Sequence, residues 1–390
     1  MEFKIALCGD IMPGADVAQR IGGDTLGEWL QGVSAAWQGA DLVIGNLECP
    51  CVLKAEPNKS SSPELVFHAP ASRLEELAAA GFSAVTIANN HILNCGRSGL
   101  AEMIEGLGRA GLYHAGAGMN LAEAMRPAFI PVRSTTVALV AFCYDPPATS
   151  SKPGAAPHDR KTMRRALKAA RAGADFVIAA LHDGLEYSDV PPSETRRRFR
   201  FLAENGADLV IGHHPHVLQG LEWIGRVPVA YSLGDFLFHN SLPYVAERNF
   251  RRMAMGLYAP EEIKTDPDKF SRGAVLTVEV SSGQKSLEWH PFKQDPDLRP
   301  RLCSGDEKLE DLRKLDELSA ALLNKEDRRH ALADSVMQAV QWDNDNSLRA
   351  RQLMRLALRP KWRYLPKGMR WLLLRLKVTK RASLSNSTEG

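Results

Sequence analysis

The chain is poor in cysteine, and none of its cysteines is spaced as a metal or redox pair. Cys8, Cys49, Cys51, Cys95, Cys143 and Cys303 include no Cys-x-x-Cys, which excludes a zinc ribbon or a disulfide framework and fits a reducing compartment. Long apolar runs are missing too. No stretch reaches the roughly 18 uncharged apolar residues that a spanning helix needs. The opening Met1 to Asp10 (MEFKIALCGD) has no basic region, long hydrophobic core or cleavage site and reads as a first strand. These absences set the expectation of a cytoplasmic protein, extending at most to the inner face of the membrane. Acids are the last scarcity: none lies between Asp345 and Glu389, a stretch rich in Lys and Arg, so the formal net charge of +3 conceals a separate basic tail.

At 44% hydrophobic and 24% charged, the 390 residues can bury a large core and fall outside the disordered class. Short apolar runs recur, each ending in a polar residue or Gly. Ile5 to Leu7 precedes Gly9-Asp10, Leu42 to Ile44 precedes Gly45-Asn46, and Ala84 to Ala88 precedes Asn89-Asn90-His91. Val137 to Phe142, Phe176 to Leu181, Asp208 to Ile211 and Val229 to Leu233 repeat the shape, as buried parallel strands do. Helical periodicity fills the gaps at residues 71–80, 100–111, 159–172 and 193–205, with Gly81, Gly173 and Gly206 as closing signals. The alternation predicts a layered α/β sheet whose ligand edge lies past the carboxyl ends of the strands. Residues 145–157 (DPPATSSKPGAAP) read as a loop near that edge. A last β segment (273–280, 287–292) gives way to charged helical sequence, so a domain of residues 1–300 and an extension of 301–390 are expected.

The chemistry-bearing residues fall at those strand ends. Gly212-His213-His214-Pro215-His216 places clustered imidazoles on an extended loop, with Pro restricting the backbone between His214 and His216. Clustered His rarely serves packing and suits borderline divalent metals. Asp10, Asn46 or Glu48, Asn90, His91 and His182 each follow a different strand and are candidates to converge with it. A lone His or Gly-Asp after a strand is ordinarily a loop residue; joint occurrence at successive strand ends is what carries the reading.

The ordered set Gly9-Asp10-Ile11-Met12, Gly45-Asn46-Leu47-Glu48, Ala88-Asn89-Asn90-His91, His182-Asp183-Gly184-Leu185-Glu186-Tyr187, Gly212 to His216 and Ser232-Leu233-Gly234-Asp235-Phe236 resembles the capsule-synthesis CapA family. That family is similar to the calcineurin-like metallophosphoesterases. The resemblance implies a four-layer α/β/β/α sandwich, one or two divalent ions (Mn, Fe or Zn), and a substrate related to phosphate esters or anionic polymers. It implies ligands at Asp10, Asn90, His182, His214 and His216, with Asn46 at the bridging position and Glu48 beside it, and His91 as the proton donor. The departures are Met12 for a His, Asn46 for an Asp, Asp183 for the common Trp, Asn94 in place of Asp, and Asp235 for Asn. Glu48 or Glu186 is then the candidate to restore the missing charge, and His213 and Asp235 are further site residues. Two functions follow: a phosphoesterase of capsule or envelope polysaccharide synthesis, or a non-hydrolytic accessory of polymer synthesis or export. From Leu348 the tail mixes Arg and Lys with Leu, Met and Trp, which suits an anionic membrane surface or a protein partner. No nucleic-acid motif is present.

Overall fold

The structure, a computed structural model, describes residues 2–54, 67–238 and 267–322. The basic tail lies outside the described residues. We label the main strands β1 (Glu2–Ile11), β2 (Leu42–Leu47), β3 (Ala84–Thr86), β4 (Tyr113–Ala115), β5 (Ala128–Val132), β6 (Thr135–Cys143) and β7 (Phe176–His182). They continue as β8 (Leu209–His213), β9 (Leu221–Ile224), β10 (Val227–Ala230), β11 (Asp235–Leu237), β12 (Arg272–Ser281), β13 (Gln284–Gln294) and β14 (Pro300–Leu302). The main helices are α1 (Ala15–Ile21), α2 (Ser72–Ala79), α3 (Gly96–Arg109), α4 (Arg160–Gly173), α5 (Ser193–Glu204) and α6 (Gly305–Ala321).

Two sheets result. The first runs β14-β13-β12-β1-β2-β3-β4 with β11 beside β1; the second runs β9-β10-β8-β7-β6-β5. In each, the strands read from the apolar runs pair in parallel, and antiparallel strands complete the edges. Side chains alternate across a strand, and β6 shows what each face meets. Val137, Leu139, Ala141 and Cys143 join the cluster shared with the first sheet, whereas Ala138, Val140 and Phe142 join the cluster under α4 and α5. Phe3 of β1 meets Phe176 of β7 edge-on, ring centroids 5.3 Å apart, across the interface between the sheets. Leu74 and Leu77 of α2 and Leu100, Met103 and Leu107 of α3 cover the first sheet's other face. The layers are therefore α/β/β/α, as the resemblance implied.

Local chemistry explains the helices. Asp159 caps α4 by accepting from the backbone N–H groups of Lys161 and Thr162 at 3.0 and 3.1 Å. Thr162, Met163, Ala166, Leu167 and Ala170, three and four apart, form its buried face. Gly81 and Gly206 take positive φ just beyond helix ends, whereas Gly173, expected as a terminator, is the last residue of α4. The loop 145–157 is tied down: Cys143 N donates to Ala156 O and Ala156 N donates to Gly116 O. Charged helix α6 packs Leu315 and Leu318 against Leu218, Ala274 and Trp289, and its buried Asp311 pairs with Arg272 at 3.1 Å.

Two strand junctions at the site edge admit no side chain. A Cβ on Gly9 would lie 1.9 Å from Gly234 O, and one on Gly212 would lie 1.9 Å from Tyr231 O and 2.6 Å from the Phe199 ring. We expect Gly212→Ala to destabilise the protein by about 3 kcal/mol through overpacking, lowering the thermal midpoint by roughly 5 °C. A midpoint within a degree of wild type in a melting experiment would show that this junction has room to spare.

Candidate metal centre

The carboxyl ends of the parallel strands of both sheets meet at one place. Asp10 stands beside Asn46 in the β1–β2 pairing and beside Asp235 in the β1–β11 pairing, while His182 stands beside His213 in the second sheet. The β1 register slips between Leu7 and Asp10, an irregularity of the kind that re-aims a side chain. After β8 the chain turns sharply: His214 and His216 take φ of 99° and 57°, on either side of Pro215. Left-handed backbone at non-glycine residues costs of order 1–2 kcal/mol each and persists where the surroundings dictate it.

The resulting cluster is buried. Asn46 Nδ2 donates to Asp10 Oδ1 at 2.9 Å and to Glu48 Oε2 at 3.1 Å, and its Oδ1 accepts from Thr86 Oγ1 at 3.2 Å. Because carboxylates only accept, this network fixes the amide: Asn46 turns its nitrogen, not its oxygen, to the acids. Glu48 Oε1 lies 3.5 Å from His182 Nε2 and 3.7 Å from His216 Nε2. His182 Nε2 donates to Asn90 Oδ1 at 2.9 Å. His216 Nδ1 donates to Asp235 Oδ1 at 2.8 Å, which turns its Nε2 toward Glu48. Asp10 also accepts from the His214 backbone N–H at 3.2 Å and has His213 Nδ1 at 2.9 Å, a contact of ion-pair distance outside hydrogen-bond alignment.

Burial sets the charge states. It drives Glu48 well above the usual carboxylate range, with the charge of Asp10 adding to it. It lifts Asp235 to about 6 against the pull of His216. Burial pushes Asp10 the same way, but the adjacent His213, with His216 and the Asn46 amide, outweighs it and holds Asp10 low. Burial holds His182 well below its normal range and brings His91 and His214 to about 4. For His216 burial is overcome by Asp235 and Glu48, which raise it. Burial thus favours the neutral imidazole, the form that ligates metal, at His91, His182 and His214.

The structure brings Asp10, Asn46, Glu48, Asn90, His182, His213, His214, His216 and Asp235 into this one cluster. Glu186 is half-buried at its margin and joins none of the close ligand groups found among the described residues. His91 sits one residue past Asn90 in its own pocket. Its Nδ1 donates to Asn94 Oδ1 at 3.1 Å, its Nε2 faces Asn90 Nδ2 at 3.2 Å, and Phe67 packs edge-on at 4.7 Å. Met12, where a His ligand is common, is buried in the apolar core. Asp183 does not leave a bare charge at the cleft: Arg198 donates to it at 2.8 Å.

Sequence reasoning did not single out Thr86, which fixes the Asn46 amide, or Asn89, whose Nδ2 donates to Leu47 O at 2.8 Å and whose Oδ1 accepts from the His91 backbone. It also passed over Tyr144, which packs edge-on against His214 with ring centroids 5.3 Å apart. Asn89 stands inside a recognised motif, so its neighbours were the available signal; Thr86 and Tyr144 have none in sequence.

The donor set fits a divalent cation. Glu48 Oε1 and His214 Nδ1 are buried with no hydrogen-bond partner, a state that ordinarily costs about 1–3 kcal/mol per group. Ligand atoms of Glu48, His214 and His216, of Asp10, His216 and Asp235, and of Asp10, Glu48 and His182 lie within 4.8 Å of one another in each group. Carboxylate and imidazole donors together suit first-row divalent ions.

The family model described as bacterial capsule synthesis protein PGA_cap matches residues 4–240. The chain is similar to the capsule biosynthesis protein CapA of Bacillus anthracis, 28% identical over 249 residues that cover 61% of this chain and 60% of that protein. It is also similar to the PGA biosynthesis protein CapA of Bacillus subtilis (strain 168), 29% identical over 244 residues, 60% of this chain and 63% of that one. The match thus spans about three fifths of the length of these curated relatives. A solved structure described as a novel phosphatase from Mycoplasma pneumoniae superposes with a TM-score of 0.47 at 16% identity, covering 76% of this chain and 95% of that one.

If Glu48 is a ligand, Glu48→Gln should weaken Mn²⁺ binding at least tenfold, measured by calorimetry on chelator-stripped protein and by metal analysis after gel filtration. Equal affinity and stoichiometry in wild type and variant would remove Glu48 from the ligand set.

Proposed function

The chain belongs to the bacterial capsule synthesis protein family, and from that membership we propose that it is a metal-dependent hydrolase of phosphate esters serving capsule or envelope polysaccharide synthesis. The observation that carries the reading is the buried, partly unpartnered donor cluster around Asp10 and Glu48, with a neutral imidazole, His91, in the adjoining pocket.

In this reading Asp10, Glu48, Asn90, His182, His214, His216 and Asp235 hold one or two ions of the Mn, Fe or Zn type. Bound there, the ion or ions would lower the pKa of a coordinated water and neutralise charge developing on phosphoryl oxygens. Glu48 belongs to two of the three close groups, so it supplies the carboxylate that Asn46 lacks. Asn46 acts as a clamp, its two N–H groups holding the acids in place. His91, kept in one orientation by Asn94 and Phe67, delivers a proton to the leaving alkoxide from Nε2. Because burial depresses His91, that proton is held only when the negative phosphate of a substrate lies beside it. Tyr144 and Phe238, packed on His214 and His216, limit access of bulk water.

The accessory reading is favoured by one observation: Met12 is sealed in the core and contributes no nitrogen ligand. It predicts metal binding without turnover.

With Mn²⁺ or Fe²⁺ supplied, wild-type protein should hydrolyse a nitrophenyl phosphate monoester or diester, and His91→Ala should lower kcat by about 10²–10⁴-fold while leaving the metal content unchanged. Metal-loaded wild type that hydrolyses neither ester would overturn the hydrolase reading in favour of the accessory one.

A further inference from the structure

The outer helix layer over the second sheet carries a cluster of cations that the proposed chemistry does not use and that is only partly matched by carboxylates. Helix α4 contains no acid, and Arg160, Lys161, Arg164, Arg165, Lys168 and Arg171 all project from its exposed side. Arg171 is bound to Asp208. Among the described residues the other five have no carboxylate within ion-pair distance. The face continues onto α5. The guanidinium groups of Arg160 and Arg164 lie over the ring of Phe201, 5.5 and 5.2 Å from its centre; on the same helix as Phe201, Arg197 and Arg200 are exposed but paired, with Glu194 and Glu222. In a chain of net charge only +3, the five cations of α4 without a carboxylate partner repel one another and are unfavourable unless a countercharge meets them.

We propose that the α4–α5 face docks on an anionic membrane surface, its cations meeting phospholipid phosphates. Three observations select this occupant. The cations spread in two dimensions over adjacent helices, which suits a planar array of headgroups. Phe201, the one aromatic ring among them, is buried beneath guanidinium groups and offers no stacking platform of the kind single-stranded nucleic acid uses. No large exposed apolar side chain lies on either helix, so attachment is electrostatic and without insertion. This inference does not depend on the proposed hydrolysis.

The test is sedimentation of full-length protein with vesicles of phosphatidylcholine containing 30 mol% phosphatidylglycerol, against pure phosphatidylcholine, at low and moderate salt. Lys161→Glu/Arg165→Glu/Lys168→Glu alters exposed residues without a carboxylate partner among the described residues, and a matching Lys161→Arg/Arg165→Lys/Lys168→Arg variant keeps the charge. Wild type and the charge-keeping variant should bind anionic vesicles only, with affinity falling as salt rises. The charge-reversed protein, folded by circular dichroism, should bind about 100-fold more weakly. The proposal is overturned if the reversed protein binds as wild type does, the outcome expected if the tail alone attaches or if the acids of residues 323–347 already cover the face. Wild type that ignores anionic vesicles, or prefers polyuridylate to them at equal salt, overturns it equally.

Discussion

Two carboxyl groups, Asp10 and Glu48, are buried side by side out of reach of bulk solvent, and the rest of the site is arranged around that constraint. Removing an ionised carboxylate from water is expensive, and a like charge next to it makes ionisation of both harder still. Asn46 donates to both, His213 and the His214 backbone address Asp10, and His182 and His216 flank Glu48. Even so, one Glu48 oxygen is left unpartnered. A native fold that buries an acceptor without a partner has usually left room for a ligand, and among chemically reasonable ligands a cation is the one that also relieves the repulsion between the acids.

Holding that cluster in place requires the two sheets to bring strand ends close together. Gly9 and Gly212 sit where a neighbouring backbone carbonyl occupies the space of a side chain. Leaving β8, the chain must then aim two imidazoles back toward Asp10 and Glu48, which it does through positive φ at His214 and His216. Neither device increases stability. Glycine junctions raise the entropic cost of folding and left-handed histidines are strained, so both are intelligible only as positioning.

Much of this was legible in the sequence because buried parallel strands and their polar exits have a simple signature. All seven apolar runs are strands, and the four helical segments lie within a few residues of their expected positions. The antiparallel edges were harder. β5, β9 and β14 are short and half-exposed, so their hydrophobicity is weak and their register depends on partners distant in sequence. At the site, residue identity pointed to the cluster but not to its wiring. Asn46 reads as a bridging ligand by position; only the joint geometry of Asp10, Glu48 and Thr86 shows its amide turned around. Asp183 likewise reads as added negative charge, and its neutralisation by Arg198 comes from a helix whose rotation no local pattern sets.

The wiring also separates the departures from the family pattern by their physical consequence. Asn46 and Glu48 belong together: an amide at 46 donates to a carboxylate two residues on, so the charge is displaced rather than lost. Met12 has no such compensation, since its side chain lies in apolar surroundings and its backbone N–H donates to Leu237 O at 2.7 Å. Asn94 changes the proton chemistry instead. A carboxylate there would stabilise an imidazolium at His91, whereas the amide oxygen gives a hydrogen bond without a net charge. His91 is therefore held by hydrogen bonds without a charged partner at position 94.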